Sequence, residues 1–476
     1  MVRAAFATLG CKVNQYETQR ILDRFEERGF AIAPWNEPAD VYVLNSCSVT
    51  VAAERKSRGM IRRATRTGPG ALVVMTGCAG EMAGIRGETV EHADLIVPNN
   101  RKMETLECVL NARPDLQRRL GEAATSPPAD RPARRTRATL KVQDGCNIFC
   151  SFCSIPYTRR SMESRPLGEL VAEAATRAAQ GYREIVVTGV LVGAWVGEED
   201  GRAIALAGLL QRLAAVPGIE RVRLSSIEPT QVTEELLTAF AETPQICNHL
   251  HMPLQSGDTG TLSRMNRPYD APFYLERCRT AQKMIADLAI TSDIMVGFPG
   301  EDEAAFEATA QMVRDVGFAR AHLFRYSPRP GTPAADMAGQ VTDAEKEDRS
   351  RRLAAVCAGE QAAFVRRYCG RTLPVLAEGR ESTAEEDMDR GSSGNDGNER
   401  VTDAGPPTGS RMMMGYTANY IRVRFAGGVG MAGSIVPVHL LDAEGDTAWG
   451  EPDSGLDYPG GSWPLPAPTM RGGMPA

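Results

Sequence analysis

The chain has 476 residues and a formal net charge of −6, with 42% hydrophobic and 24% charged residues. This length exceeds one ordinary core and predicts about three domains, and the composition is that of a soluble globular protein. The opening MVRAAFATLG is too short for a signal peptide, and no apolar run reaches membrane-spanning length. We therefore expect a cytoplasmic protein whose 11 cysteines are reduced thiols, metal ligands or catalytic groups rather than disulfides.

The negative charge is concentrated in one segment. Residues 381–403 contain eight acids and two arginines, so they carry −6 and the remainder of the chain sums to zero. Basic runs at 54–66 and 131–141 fit solvated helix faces and a linker as well as a nucleic-acid surface. The acidic balance therefore does not exclude a nucleic-acid partner.

The first block of the chain predicts a parallel α/β fold. Strand-like segments lie at 3–10, 41–46, 71–77 and 93–97, with helix-like segments near 14–29 and 51–67. The first three strands each end at a cysteine, namely Cys11, Cys47 and Cys78. Because the carboxyl ends of parallel strands share one sheet edge, we expect these thiols to lie close together.

The middle block predicts a partial barrel or a large doubly wound sheet. It follows a segment at 113–137 whose Pro, Ala and Arg content is typical of a linker. Strand-like runs, separated by helical stretches, lie at 138–142, 184–188, 220–224, 248–252, 289–295 and 319–324. The last block predicts a small all-β barrel from segments at 372–378, 419–425 and 433–440. We expect the acidic insert at 381–411 and the tail at 443–476 to be disordered.

Three cysteines follow the first strand of the middle block, in DGCNIFCSFCSIPYTRR (144–160). Cys146, Cys150 and Cys153 supply three ligands, so a four-iron cube held by them would keep one iron open. In proteins with C-x3-C-x2-C spacing, S-adenosylmethionine typically binds that iron before its reductive cleavage, and Phe152 fits the same pattern. The alternative is a zinc site completed by a distant ligand, such as one of five histidines.

Ordered motifs along the chain resemble the radical SAM methylthiotransferases. They are TLGCKVNQYET (8–18), NSCSVT (45–50), TGCAG (76–80), GCNIFCSFC (145–153), SSIEP (225–229), HMPLQSG (251–257), SDIMVGFPGE (292–301) and YSPRPGTPAADM (326–337). The resemblance implies an N-terminal parallel α/β domain at 1–125, a radical SAM partial (β/α)6 barrel at 126–370 and an RNA-gripping TRAM barrel at 371–442.

The resemblance also implies two [4Fe-4S] clusters and S-adenosyl-L-methionine as cofactors. Cys146, Cys150 and Cys153 would hold the radical-generating cluster, and a second cluster that presents sulfur would be held by Cys11, Cys47 and Cys78. Cosubstrate contacts are implied for Thr188, Gly189, Ser226, Glu228, Ile294 and Gly297, although a Ser or Thr at a strand end is as often a helix cap. His251 and Gln255 would line the substrate pocket, or His251 would be a satisfied core group. The other cysteines are predicted to be buried apolar residues: Cys108, Cys247, Cys278, Cys357 and Cys369.

The residues after the first cysteine indicate the substrate. Lys12, Val13 and Asn14 resemble the subgroup that methylthiolates N6-threonylcarbamoyladenosine beside the tRNA anticodon. Isopentenyladenosine enzymes more often read GCQMN there, and the ribosomal-protein branch reads GCPKN. An anticodon loop can present a splayed base to a pocket, while Arg422 and Arg424 on a barrel strand would contact phosphates.

Two features depart from the family pattern: the acidic insert, and TRRSM (158–162) where glycine is more usual after the first arginine. The alternatives are a methylthiotransferase acting on isopentenyladenosine or on a ribosomal protein, and, from another class, a non-catalytic zinc-bound RNA-binding protein. We expect as partners the tRNA anticodon loop, an electron donor such as flavodoxin or ferredoxin, and a sulfur source, with no membrane.

Overall fold

A computed structural model of the protein describes residues 1–48, 50–121, 136–380 and 411–453. Most of the predicted acidic insert, residues 381–410, and residues 454–476 of the predicted tail lie outside these ranges. Within them, no helix is both long and apolar enough to cross a bilayer. The cytoplasmic location stays a prediction.

The N-terminal domain is the predicted parallel α/β unit. Its elements are β1 (Arg3–Thr8), α1 (Lys12–Glu27), β2 (Ala31–Ala33), β3 (Val41–Ser46), α2 (Val51–Thr67), β4 (Leu72–Gly77), α3 (Cys78–Arg86), β5 (Leu95–Val97), α4 (Thr105–Ala112) and α5 (Pro114–Leu120). The sheet order is β2-β1-β3-β4-β5, with every pair parallel. Strands β3 and β4 are buried throughout because helices cover both sheet faces.

The predicted linker at 113–137 is wrong at its start. Residues 114–120 form α5, and the fully buried Leu116 joins the core of the N-terminal domain. Pro114 occupies the first turn of this helix, where its missing N–H has no intrahelical partner to lose. Residues 122–135 of the segment lie outside the described ranges.

The central domain is a partial barrel of parallel strands surrounded by helices. Its elements are β6 (Arg137–Asp144), α6 (Ile155–Thr158), β7 (Glu163–Ser164), α7 (Leu167–Ala179), β8 (Glu184–Gly189), β9 (Val196–Glu199), β10 (Arg202–Ala205), α8 (Leu206–Ala214), β11 (Arg221–Leu224), α9 (Glu234–Glu242), β12 (His249–His251), α10 (Thr259–Arg264), α11 (Ala271–Met284), β13 (Ala289–Val296), α12 (Glu303–Val316), β14 (Arg320–Arg325) and α13 (Asp343–Arg366). The parallel order is β6-β8-β11 and β12-β13-β14, and a Ser226–His251 bridge joins the two halves. The partial barrel is therefore confirmed over the doubly wound sheet.

Apolar and polar side chains alternate along these strands, and the polar ones face the inside of the barrel. Leu140, Ile185, Val222, Leu250 and Ile290 belong to the main hydrophobic core, which fills the space between strands and helices. Successive strand residues point to opposite faces, so the residues next to these apolar positions face the inside. Those interior residues include Arg137, Thr139, Glu184, Arg223, His249, His251, Thr291 and Asp293.

The C-terminal domain is a closed five-stranded barrel formed by β15 (Thr372–Arg380), β16 (Arg411–Thr417), β17 (Arg422–Gly427), β18 (Ile435–Glu444) and β19 (Thr447–Pro452). The predicted disordered tail from 443 is wrong for its first ten residues, because β18 extends to Glu444 and β19 completes the barrel. Closure removes the unpaired strand edges that an open sheet would expose. Short 3₁₀ turns elsewhere in the chain lie at Asn99–Glu104, Val192–Ala194, Pro229–Gln231, Pro333–Asp336 and Val429–Met431.

Two buried arginines fasten this barrel to the central domain. Arg221 donates to the carbonyl oxygens of Tyr416 at 3.0 Å and Pro374 at 2.6 Å. Arg223 donates to Ala418 O at 2.8 Å and lies 2.7 Å from the carboxylate of Glu184. The fully buried Glu184 thus neutralises an arginine that crosses the domain boundary.

This ion pair predicts an acid-dependent stability. Although burial acts to raise it, the guanidinium groups of Arg223 and Arg137 lower the pKa of Glu184 from 4.5 to about 2. The contribution of Glu184 is therefore complete above pH 4.5 and is lost as the pH falls towards 2. Glu184→Gln should reduce the free energy of unfolding by about 3 kcal/mol near pH 7 and flatten its acid dependence.

Urea unfolding of wild type and variant, followed by circular dichroism at several pH values, measures this difference. Glu199→Gln is the matched control, because Glu199 pairs with Arg212 at the surface. Equal losses in the two variants would contradict the role assigned to Glu184.

Candidate functional site

The first cysteine set lies at one edge of the N-terminal sheet. Cys11 caps α1, Cys47 follows β3 and Cys78 opens α3, and the strands before them are neighbours. Gly10, at φ +102°, allows the chain to pass so close that an added Cβ would lie 2.8 Å from Cys47 Sγ. Cys11 is exposed, yet desolvation by the surrounding protein raises its pKa, and the Cys78 thiol acts in the same direction, so the two groups are within electrostatic range.

The second set occupies the loop between β6 and α6. The Cys153 amide donates to Cys150 O at 3.0 Å, and Cys153 Sγ accepts the Ile155 N–H at 3.4 Å. Burial raises the pKa of Cys146 and Cys150, and it raises the pKa of Cys153 to about 12. Such thiols ionise readily only when a metal takes the proton's place, which is the chemistry of an iron–sulfur ligand.

Arg267 contacts the second set and was missed by the sequence interpretation. Its Nη1 donates to Cys150 Sγ at 3.0 Å, while Nη2 donates to both carboxylate oxygens of Glu228 at 2.7 and 2.6 Å. Glu228, predicted to bind the cosubstrate, is therefore paired with an arginine. The arginine lies in the loop between α10 and α11, where no periodicity or spacing singled it out.

The two cysteine sets face each other. Ser48 and Ser154 each follow a cysteine, and their hydroxyl oxygens lie 3.2 Å apart. Arg329, from the YSPRPGTPAADM motif, lies within electrostatic range of both Cys153 and Cys47. Its buried Nε has no hydrogen-bond partner among the described residues. The loops carrying the two sets are thus in contact, with a cation beside both.

A buried ionic network centred on Glu17 holds the two domains in this arrangement. Glu17 Oε2 lies 2.6 Å from Lys102 Nζ and 2.8 Å from Arg159 Nη2, and Oε1 lies 2.6 Å from Lys141 Nζ. Arg159 Nη2 also donates to the Asn14 side chain at 3.0 Å. Although burial acts to raise it, Lys102 and Arg159 lower the pKa of Glu17 well below 4.5.

This network explains the two sequence features around it. Asn14 donates to the carbonyls of Leu9 and Ser46, so it supports the loops carrying Cys11 and Cys47. In TRRSM, the first arginine is the buried member of the network, whereas Arg160 is exposed. The missing glycine therefore does not prevent the loop from bringing its buried arginine to Glu17.

The implied cosubstrate residues occupy three different environments. Thr188 and Gly189 end β8, Ser226 is exposed beyond β11, and Gly297 follows β13 at φ +72°. Ile294 is fully buried on the helix-facing side of β13, where it packs in the core. The structure therefore offers the side chain of Ile294 no free surface for a ligand.

The histidine of the HMPLQSG motif faces the barrel interior. His251 Nδ1 shares a hydrogen bond with Thr291 Oγ1 at 2.9 Å, and its Nε2 lies 3.3 Å from Asp293 Oδ2. Gln255 adopts a positive φ of 63° and is half-buried. His251 thus has features of both predicted roles. Its ring has hydrogen-bond partners, as a core group would, and it also lines the barrel interior, as a pocket residue would.

The cysteines outside the two sets are mostly packing residues. The prediction of burial is confirmed for Cys247, Cys278 and Cys357. It is wrong for Cys108 and Cys369, which are only half-buried. Across the described ranges, no group of three or more His, Cys, Asp or Glu side chains is arranged to hold a single metal ion.

Two family models match the chain in tandem. The Radical SAM superfamily matches residues 140–313, and the Uncharacterized protein family UPF0004 matches residues 3–98. The structure of the radical S-adenosylmethionine methyltransferase TsrM from Kitasatospora setae, with tryptophan and a SAM analogue bound, aligns with a TM-score of 0.50. It covers 70% of this chain and 75% of that chain at 14% identity, a likeness of fold alone. The matched domain and the cysteine loop at its rim define the radical SAM class.

Two curated relatives are similar to the chain over most of its length and indicate a family within the radical SAM class. Threonylcarbamoyladenosine tRNA methylthiotransferase MtaB of Bacillus subtilis (strain 168) is 37% identical over 451 residues, 93% of this chain and 94% of that protein. The tRNA-2-methylthio-N(6)-dimethylallyladenosine synthase of Erythrobacter litoralis (strain HTCC2594) is 38% identical over 386 residues, 78% of this chain and 85% of that protein. The chain belongs to the radical SAM tRNA methylthiotransferases.

Membership in this family sets aside the non-catalytic zinc-bound alternative. The cofactors of the family are [4Fe-4S] clusters and S-adenosyl-L-methionine, and the six cysteines form a donor set that fits the clusters. Two sets of three free thiols would each supply one ligand fewer than a cube has irons, which would leave a coordination position for a substrate molecule.

Proposed function

We propose that this enzyme converts N6-threonylcarbamoyladenosine, next to the tRNA anticodon, to its 2-methylthio derivative, using two iron–sulfur clusters. The observation that carries the two-cluster proposal is the contact between the cysteine loops, in which Ser48 meets Ser154. The substrate proposal is supported by the residues around Cys11 and by the likeness to MtaB over nearly the whole chain.

In this proposal Cys146, Cys150 and Cys153 bind the radical-generating cluster, while Cys11, Cys47 and Cys78 bind the one that presents sulfur. When bound, these groups and S-adenosylmethionine supply one-electron cleavage and sulfur insertion. Arg267 orients Cys150 through its hydrogen bond and keeps Glu228 neutralised. The network at Glu17 keeps the two sets at a constant separation.

The chain's other residues hold the substrate. The hydroxyls of Thr188 and Ser226 are proposed to contact the cosubstrate, together with the backbone of Gly189 and Gly297. The C-terminal barrel is proposed to bind the anticodon stem, since Arg424 stacks on Trp449 with 5.0 Å between guanidinium and ring. An electron donor, such as flavodoxin or ferredoxin, and a sulfur source complete the reaction.

The substrate is tested with purified tRNAs and the reconstituted enzyme. We expect a 2-methylthio product on tRNA bearing threonylcarbamoyladenosine, detected by mass spectrometry of the digested nucleosides. Isopentenyladenosine tRNA and a ribosomal protein are the competing acceptors, and the first is favoured as runner-up by the 38% identical relative. Product formed only on isopentenyladenosine tRNA, or only on the ribosomal protein, would overturn the substrate proposal. Either result would leave the radical chemistry intact.

The RNA-binding role of the C-terminal barrel is tested by truncation at residue 371. We expect the truncated enzyme to show a higher KM for tRNA, because phosphate and base contacts are lost, while uncoupled release of 5′-deoxyadenosine persists. An unchanged KM would contradict the role proposed for the barrel.

A further inference from the structure

Lys12 is the first residue of α1 and carries a positive charge that no described residue neutralises through an ion pair. It is solvent-exposed, and among the described residues it has no carboxylate within 4.0 Å and no side-chain hydrogen bond. It nevertheless lies within electrostatic range of Tyr420 from the C-terminal barrel and of Arg223 and Glu184 from the central barrel. An exposed side chain surrounded by groups from three domains lines a cleft, and we call this space, bounded by Lys12, Glu184, Arg223, Asp293 and Tyr420, the inner cleft.

The other charges of the inner cleft are already paired. Arg223 lies 2.7 Å from Glu184, and Arg137 lies 2.6 Å from Glu378. Asp293 lies 3.3 Å from the His251 ring. Among the described residues that bound this space, Lys12 is therefore the cation that remains available to a ligand.

Nearby positive charges, including Lys12, lower the pKa of two neighbouring side chains. Burial lowers the pKa of His249 well below 6.5, and Arg223 and Lys12 lower it further. Burial acts to raise the pKa of Tyr420, yet Arg137 and Lys12 bring it below its usual value. The anion preference of the inner cleft follows from the unpaired ammonium of Lys12, and the pKa directions of these two rings agree with it.

The position of Lys12 relative to the reacting groups restricts that anion. Because Lys12 follows Cys11 directly in the chain, the inner cleft adjoins the segment that carries the first cysteine set. Threonylcarbamoyladenosine carries a carboxylate on its N6 substituent, whereas isopentenyladenosine carries a neutral hydrocarbon there. An unpaired cation distinguishes the two by charge, because it can form a charge-assisted ion pair with the carboxylate and finds no charged group on the hydrocarbon.

We propose that Lys12 binds the carboxylate of the threonylcarbamoyl group and so determines which modified adenosine the enzyme accepts. This inference rests on the proposed function and adds the residue that reads the substrate. Tyr420 and His249, whose rings stack with 4.6 Å between centroids, form the wall opposite the ammonium. Recognition of this kind rejects the hydrocarbon substrate because the cation would be left without a partner.

The test compares anticodon stem-loops that differ only in charge. One carries threonylcarbamoyladenosine, the second its methyl ester, and the third isopentenyladenosine. With wild-type enzyme we expect the acid to bind at least about tenfold more tightly than the ester. With Lys12→Gln, acid and ester should bind equally, and Lys12→Arg should retain part of the preference.

Lys283→Gln is the matched control, since Lys283 is an exposed lysine on α11, away from the inner cleft. It should keep the wild-type preference. Equal binding of acid and ester by the wild-type enzyme, or an undiminished preference in Lys12→Gln, would overturn the inference. Methylthiolation of the isopentenyl stem-loop alone would instead overturn the proposed function. Iron content is measured on each variant. If Lys12→Gln loses iron, the acid and ester affinities of the wild type and of Lys12→Arg decide whether the inference stands.

Discussion

Replacing Cys146, Cys150 and Cys153 with alanine is expected to remove about half of the iron from the reconstituted enzyme. Two cubes held by three thiolates each give on the order of eight irons per chain, and this variant keeps the ligands of only one. Release of 5′-deoxyadenosine should fall to the background level, because the cluster proposed to cleave S-adenosylmethionine is lost. Anaerobic iron analysis and chromatography of the nucleoside product measure both effects.

The complementary variant separates the two sets. Alanine at Cys11, Cys47 and Cys78 should also remove about half of the iron, yet this enzyme should still release 5′-deoxyadenosine without forming methylthio product. Cys369→Ala is the matched control, because Cys369 is half-buried and belongs to neither set. Methylthio product from the Cys11, Cys47 and Cys78 variant, or full iron content in either triple variant, would refute the division of labour.

Glu17→Gln is expected to destabilise the protein by about 3–5 kcal/mol, because it leaves a buried cluster of cations without its carboxylate. Lys102 and Arg159 are almost completely buried, with 2% and 6% of their surfaces exposed, so water cannot replace the lost charge. The network spans the two cysteine-bearing domains, so the variant should also form less methylthio product per 5′-deoxyadenosine released.

Urea unfolding and the ratio of the two products measure these effects. Glu37→Gln is the matched control, since Glu37 pairs with Arg3 at the surface, where an ion pair contributes about 0–1 kcal/mol. A Glu17→Gln enzyme that is as stable as this control would refute the assigned role. A large loss of stability with an unchanged product ratio would show that the network stabilises the fold but does not affect the coupling of the two reactions.

The sequence alone determined the domain order and the parallel N-terminal sheet, and it predicted both cysteine sets. Its pattern left a partial barrel and a doubly wound sheet open, and the family resemblance favoured the barrel. These features depend on short-range patterns, namely apolar periodicity and fixed spacing, or on the rule that parallel strands end at one edge. Even the distant cysteines Cys11, Cys47 and Cys78 could be grouped, because each lies at or just beyond the carboxyl end of a predicted strand.

Boundaries were less well determined where tertiary contacts overrode local composition. Pro114–Leu120 looks like a linker, yet it is helical because Leu116 finds a place in the core. Thr447–Pro452 lies in a region rich in turn residues, and it forms a strand because barrel closure needs a fifth partner. Ile294 fits a motif, but the alternation of β13 directs its side chain towards the helices.

Only the tertiary structure decided which charges meet. Glu17 and Lys141 are 124 positions apart, and Arg267 reaches Cys150 across 117, so no sequence window contains either pair. The residues around Glu17 and Arg267 in the sequence do not distinguish them from charged residues at the surface. Their roles arise because folding removes them from water, and a buried charge is tolerated only beside a partner that the rest of the chain supplies.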